Sequence, residues 1–290
     1  MKPSRPQSGN IMTTPRQAYR IMQEQHFLVD QDAINSIVGR AGLNTSDTVL
    51  EIGGGTGKLS SEIASRCGRL IIVEKDRRLC ALLTRKLAPV GNVSVVPGDA
   101  LSVKLPAFDK IVANMPYSIT MQFFERLVNE GRQLFDSAVL VLPYSLQKKI
   151  TTGVDSEAFG LPSAFFFAFY ETEVFLDIGR DSFSPPPRGR SSAVFFKPAG
   201  NSSMHAAARL VLRYMFKHRN MKVDNAITRS LWDGYAELGK RLTKKEAAVA
   251  ANRILSGRES HLGDKVILRL SNMEYRDITA KLISWETASR

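Results

Sequence analysis

The stretch Asn114-Met-Pro-Tyr117 sets a side-chain amide, a rigid proline and an aromatic ring directly after the apolar run 110–113. That combination suits chemistry on an adenine amine. The exocyclic nitrogen is a poor nucleophile, because its lone pair is delocalised into the ring. The Asn114 carbonyl and a neighbouring backbone carbonyl can accept its two hydrogens, draw it toward tetrahedral geometry and expose the lone pair to a methyl group. Tyr117 offers a face on which the base can stack after leaving its helix or loop. The proline fixes the backbone so that carbonyl and ring converge. The bland alternative is an ordinary Asn-x-Pro turn at a strand end.

A second set of residues could hold the group that reacts with such an amine. The run Val49-Leu-Glu-Ile52 opens into Gly53-Gly-Gly-Thr-Gly57, where glycines permit a tight strand-to-helix turn and a close approach of backbone to ligand. Glu74 closes the next apolar run, where a carboxylate can accept from two ribose hydroxyls. Both features suit a nicotinamide cofactor as well as S-adenosylmethionine. Two details favour the latter: the glycines run Gly-x-Gly-x-Gly, and Gly98-Asp99-Ala100 follows the third strand, placing an acid where it can accept from an adenine amine. Asp99 could equally be a turn aspartate.

These residues need strand ends to carry them, and the chain supplies strands and helices in alternation. Short apolar runs at 48–52, 69–74, 93–96, 110–113 and 138–142 predict buried strands, with helices over 57–66 and 77–87. The implied fold is α/β: a doubly wound, Rossmann-like sheet with ligands at the carboxyl ends of its strands. After Pro198 only helical spacing remains, over 204–217, 223–231, 244–255 and 272–284. The pairs Thr243/Glu246 and Ser271/Glu274 have capping-box spacing. Three parts are expected: a basic leader (1–22), a donor-binding methyltransferase domain (23–198) and a small all-helical domain (199–290). The phenylalanines at 165–167 and 169 read as core packing.

Charge follows the same division. Of the net +12, residues 185–290 hold +11, with 20 basic residues against 9 acidic, and residues 1–184 only +1. A field of one sign attracts polyanions such as nucleic acid, and Arg213, Lys217, Arg219 and Lys222 are expected to take part. No apolar run approaches the roughly 18 residues of a membrane span. The two cysteines, Cys67 and Cys80, form neither a Cys-x-x-Cys pair nor a zinc pattern. His205, His218 and His261 lack partners at ligand spacing, so no metal is expected.

The sequence resembles the ribosomal-RNA adenine dimethyltransferases of the KsgA/Dim family over nearly its whole length. The matching stretches are Gln25-His-Phe-Leu-Val-Asp30, Val49 to Gly57, Val73-Glu-Lys-Asp76, Gly98-Asp-Ala-Leu101, Asn114-Met-Pro-Tyr117, and Phe183-Ser-Pro-Pro-Pro187 followed by Ser192-Ala-Val194. The resemblance implies transfer of two methyl groups from S-adenosylmethionine to each of two adjacent adenosines in small-subunit rRNA. It also implies site roles. His26, Leu28 and Gly53 would line the donor pocket, with Glu74 on the ribose and Asp99 on the adenine amine. Asn114 would position the target amine beside the donor, between Tyr117 on one face of the base and Phe183 near the other.

Departures from the family pattern are Gly54 for proline, Met115 for leucine, and the stretches 142–148, 160–163 and 216–222. They touch the choice of target more than the chemistry. The expected partner is small-subunit rRNA, within a pre-ribosomal small subunit and with no membrane. The expected protein is a cytoplasmic monomer, although the acid-poor leader has some transit-peptide character. Two rival readings stand beside this one: methylation of another RNA adenine, as in large-subunit resistance methylases, and a nucleic-acid-binding assembly or transcription factor that has lost its activity.

Overall fold

The structure, a computed structural model, describes residues 26–130, 135–153, 156–198, 206–256 and 260–288. The leader at 1–22, Gln25, His205 and the expected division at 199 lie outside the described residues.

The first half alternates as the apolar runs imply: β1 (Phe27–Leu28), α1 (Gln31–Ala41), β2 (Thr48–Ile52), α2 (Lys58–Ala64), β3 (Arg69–Glu74), α3 (Arg77–Leu87), β4 (Val93–Pro97), β5 (Lys110–Ala113), α4 (Thr120–Asn129) and β6 (Ser137–Pro143). Then come α5 (Tyr144–Thr151), α6 (Leu161–Phe169), β7 (Tyr170–Ile178), β8 (Phe183–Ser184) and β9 (Ser191–Pro198). Seven strands form one sheet in the order β4-β3-β2-β5-β6-β9-β7. The first five are parallel, and β9 and β7 are antiparallel.

Helices cover both faces of the sheet, so its central strands carry apolar residues on each. Leu50, Ile52, Ile71 and Ile111 face the layer of Phe123, Phe124, Phe165 and Phe166. Val49, Leu70, Ile72 and Val112 face α1 to α3. Asp30 caps α1, accepting from the amides of Asp32 and Ala33 at 3.0 and 3.2 Å. Phe165, Phe166 and Phe169 of the aromatic run are buried and Phe167 is half-buried against the same core.

From β2 the chain steps to β3 and β4 on one side, then returns to place β5 on the other. A crevice opens at such a reversal, beyond the carboxyl ends of the strands. Gly53 follows β2 and Asn114 follows β5, so both stand at its mouth.

The remaining helices are α7 (Ala206–Lys217), α8 (Val223–Arg229), α9 (Lys244–Leu255) and α10 (Asn272–Ala288). Both expected capping boxes form. Thr243 Oγ1 accepts from the Glu246 amide at 3.2 Å, and Ser271 Oγ from the Glu274 amide at 3.3 Å. The helix expected over 223–231 ends sooner, passing into a π turn at Ser230–Gly234. The helical part shares its core with the sheet: Phe216 packs edge-on to Phe165 with ring centroids 4.9 Å apart.

Candidate active site

A cavity of about 280 Å³ lies at the reversal, lined by His26, Phe27, Gly53, Gly55, Glu74, Leu79 and residues 114–118. Leu28, Glu51, Thr56 and Lys58 line an adjoining recess with Gly53 to Gly55 and Asn114. The glycine loop bends under the cavity with φ of 77° at Gly53 and 55° at Gly55, values that L side chains resist. A Cβ at Gly53 would lie 3.3 Å from Pro116 Cδ, so the glycine lets the loop and the Asn-Met-Pro-Tyr turn approach without crowding. At Gly54, where the family pattern has proline, a Cβ would sit 2.6 Å from Ile72 Cγ2. Ile72 and Leu83 occupy that space here.

Glu74 is buried at the end of β3. Its Oε1 accepts from the Asp76 amide at 2.9 Å and its Oε2 from the Gly55 amide at 3.3 Å. The carboxylate is thus held facing the cavity. Asp99 stands at the neighbouring strand end, but it does not line the cavity. Its Oδ1 accepts from the Leu101 amide at 2.9 Å, and Lys75 Nζ lies 2.9 Å from its Oδ2. The Leu101 amide first, then Lys75, hold the carboxyl below its ordinary range. Lys75 is largely exposed, and an exposed pair of this kind is worth at most about 1 kcal/mol, so a competing donor can displace it.

Asn114 is placed by its amide: Nδ2 donates to the His26 carbonyl at 2.9 Å. That leaves Oδ1, the acceptor the chemistry requires, without a protein partner among the described residues. The His26 ring is tied in turn, its Nδ1 lying 2.9 Å from the Pro185 carbonyl. Tyr117 Oη lies 3.0 Å from Ser191 Oγ. Burial pushes its phenol up, partly offset by Ser191, so the ring stays neutral and its face is what it offers.

Phe183 does not line the cavity. It is 2% exposed, paired across β8 with Leu28 of β1 and packed in the core. No base can stack on it in this arrangement. The segment around it acts from behind: the Ser182 carbonyl accepts from the Val29 amide at 2.8 Å and Pro185 anchors His26, so together they hold β1 against the cavity.

Glu51 does not stand out in the sequence. It is 1% exposed beneath the glycine loop, and its Oε2 finds no partner among the described residues. Burial pushes its carboxyl up to about 8; the Ser60 hydroxyl offsets part of this and the charge of Glu74 adds to it. A charged residue inside the apolar run 49–52 is the signal that could have found it.

The residues fit S-adenosylmethionine. The glycine cradle admits the ligand backbone, Glu74 suits a ribose diol, and the orphaned Glu51 oxygen suits an ammonium group. Among the described residues no cluster of three His, Cys, Asp or Glu could hold a metal ion.

A Rossmann-like sheet with this cradle at its reversal defines the class of S-adenosylmethionine-dependent methyltransferases. Residues 16–253 match the family described as ribosomal RNA adenine dimethylase, and the chain belongs to that family. It is 32% identical to a probable ribosomal RNA small subunit methyltransferase A of Thermococcus onnurineus over 258 residues, 89% of this chain and 90% of the relative. Another, from Methanococcoides burtonii, is 28% identical over 256 residues, 87% of this chain and 92% of the relative. In fold the chain is similar to a dimethyladenosine transferase from Plasmodium falciparum, with TM-score 0.63 and 22% identity over 90% of this chain and 98% of the other. It is also similar to the 23S rRNA methyltransferase ErmE, with TM-score 0.57 and 22% identity over 88% and 99%.

Proposed function

We propose that the protein dimethylates the exocyclic amines of two adjacent adenosines in small-subunit rRNA, acting as a cytoplasmic monomer on a pre-ribosomal small subunit. The observation that carries this reading is the unengaged Asn114 Oδ1, fixed at the mouth of the cavity by the bond from its own Nδ2 to His26. S-adenosylmethionine, when bound, supplies an electrophilic methyl group. Gly53 and Gly55 admit it, Glu74 accepts from its ribose, and Glu51 faces its ammonium end. Asp99 accepts from its adenine amine once Lys75 gives way.

Asn114 Oδ1 and a neighbouring backbone carbonyl accept the two hydrogens of the target amine. Tyr117 stacks on the base and holds the nitrogen in line with the methyl group. Rate enhancement then comes from positioning and from carbonyl dipoles aimed at the amine. No side chain need act as a base, because the proton can leave after transfer. The helical part after 199 engages the RNA through its positive charge.

Sequence likeness supports the small-subunit target over the large-subunit one: the curated small-subunit relatives are 28% and 32% identical to this chain, and the large-subunit enzyme ErmE is 22% identical. The presence of Gly53, Glu74, Asn114 and Tyr117 in one cavity argues against a lapsed enzyme, since a pure binding module has no need of them together. Incubation with labelled S-adenosylmethionine and a mixture of unmodified small and large subunits, followed by nucleoside analysis of each RNA, tests the reading. Dimethyladenosine at adjacent positions is expected; label confined to large-subunit RNA, or none, would overturn it.

A further inference from the structure

Beside the cavity lies a second aromatic surface that the mechanism leaves unused. Tyr144 opens α5 at the carboxyl end of β6 and is 38% exposed. Two cations face that ring: Lys148 Nζ stands 5.3 Å from its centroid and Arg190 Cζ 5.2 Å. Neither cation has an ion-pair partner among the described residues. Lys149 and Arg188 are exposed beside them in sequence.

The surface is mechanically continuous with the cavity. The Tyr144 amide donates to the Arg190 carbonyl at 3.0 Å. The next residue, Ser191, pairs with Pro143 across the sheet, and its hydroxyl meets Tyr117 Oη at 3.0 Å. Tyr144 is therefore borne on the junction where β6 ends and β9 begins, and Ser191 of that junction reaches Tyr117 after β5.

An exposed ring held between two cations is poor protein packing. It has the makings of a nucleotide platform, the ring for a base and the cations for the flanking phosphates. We propose that Tyr144, with Lys148 and Arg190, stacks an unpaired nucleotide neighbouring the target adenosine and so selects the RNA context that is methylated. This rests on the proposed RNA substrate. It also gives a physical content to the departure at 142–148: the position that departs carries the ring.

The probe is a fluorescein-labelled synthetic RNA hairpin with two adjacent adenosines in its loop, and a fully paired duplex of the same length as control. Full-length wild type, Tyr144→Ala, Tyr144→Phe and the double variant Lys148→Ala/Arg190→Ala are compared by anisotropy, by methylation kinetics and by thermal melting. Tyr144→Ala should weaken hairpin binding about 5- to 150-fold, the range for one stacked base, and leave duplex binding alone. Tyr144→Phe should restore hairpin binding, since the face and not the hydroxyl is used. The double variant should weaken both RNAs, and the methylation defect of Tyr144→Ala should fall on KM for RNA more than on kcat. Hairpin affinity unchanged in Tyr144→Ala, or a Tyr144→Phe as weak as Tyr144→Ala with both melting like wild type, would overturn the platform. The two proposals fail separately. Methylation by wild type with an indifferent Tyr144 sinks only the platform, and a Tyr144-dependent hairpin affinity without methyl transfer sinks only the enzymatic reading.

Discussion

Asn114 and His26 are joined by a single bond, from the amide Nδ2 to the backbone carbonyl at 2.9 Å, that settles which end of the amide faces the cavity. Rotating the amide would set two carbonyl oxygens against each other, so the acceptor end is locked outward. That lock costs nothing at the moment of reaction, which is how preorganised dipoles act on a transition state.

Asn114→Ala should therefore lower kcat about a hundredfold or more, the usual loss when one such polar group is removed, while affinity for S-adenosylhomocysteine changes little. Asn114→Asp should fare no better, because a carboxylate cannot donate to the His26 carbonyl. Single-turnover methylation and calorimetry check both parts. Turnover equal to wild type in either variant would reduce the motif to a turn.

Glu74→Ala should weaken donor binding, each hydrogen bond to a charged acceptor being worth about 1.5–3 kcal/mol at most. The variant also frees the Gly55 amide that Glu74 now holds. Calorimetry should show S-adenosylmethionine and its demethylated product binding to wild type, and NAD not binding. Tight NAD binding would refute the donor assignment.

Glu51 yields a pH dependence whose sign can be worked out. Its carboxyl is raised on folding to about 8, so the native state binds the proton more tightly than the unfolded chain does. Stability should fall as pH rises from the ordinary carboxylate range toward 8. Glu51→Gln should abolish that part of the slope, melting like wild type near pH 5 and above it near pH 8.5. If Glu51 faces the donor's ammonium group, S-adenosylhomocysteine should raise the melting temperature of wild type more than that of Glu51→Gln, and most at the higher pH. Parallel melting curves across that range would remove Glu51 from both roles.

The strands at 48–52, 69–74 and 110–113 are legible in the sequence because two-sided burial writes an uninterrupted apolar run. The glycine loop and the Asn-Met-Pro-Tyr turn are legible because backbone approach and a fixed ring demand particular residue types. What escapes depends on neighbours distant in sequence. The burial of Phe183 depends on Leu28, over 150 residues earlier, which pairs with it across β1 and β8 in one core. Tyr144 stands in the sequence only within the departing stretch 142–148, and its setting shows once Arg190 is seen to reach its ring. Glu51 leaves one trace, a charge inside the apolar run 49–52, but its orphaned oxygen shows only once the strand is buried.

The cations of the helical part differ in how firmly the protein itself holds them. Of Arg213, Lys217, Arg219 and Lys222, three are engaged within the protein. Arg213 Nη2 lies 2.5 Å from Glu237, Lys222 Nζ lies 2.9 Å from Asp264, and Arg219 bonds Glu125 of α4. Only Lys217 has no ion-pair partner among the described residues. Exposed cations without such a partner are found instead at Arg241, Lys244 and Lys245, beside the start of α9. Changing Lys217, Arg241, Lys244 and Lys245 together to Glu should weaken rRNA binding and make the log–log salt dependence shallower by about 0.7–0.9 for each phosphate no longer neutralised. Its melting temperature should stay near that of wild type, because none of the four is buried. Arg219→Glu should behave in the opposite way. It sets two carboxylates together where burial already raises the Glu125 carboxyl, at an ion pair that joins α4 to the helical part, so the melting temperature should drop. A truncation at Pro198 should suffer the same fate more severely, since it would strip Phe216 from Phe165. An unchanged salt slope in the fourfold variant would make the basic helices a solubility surface, with RNA held by the sheet domain alone.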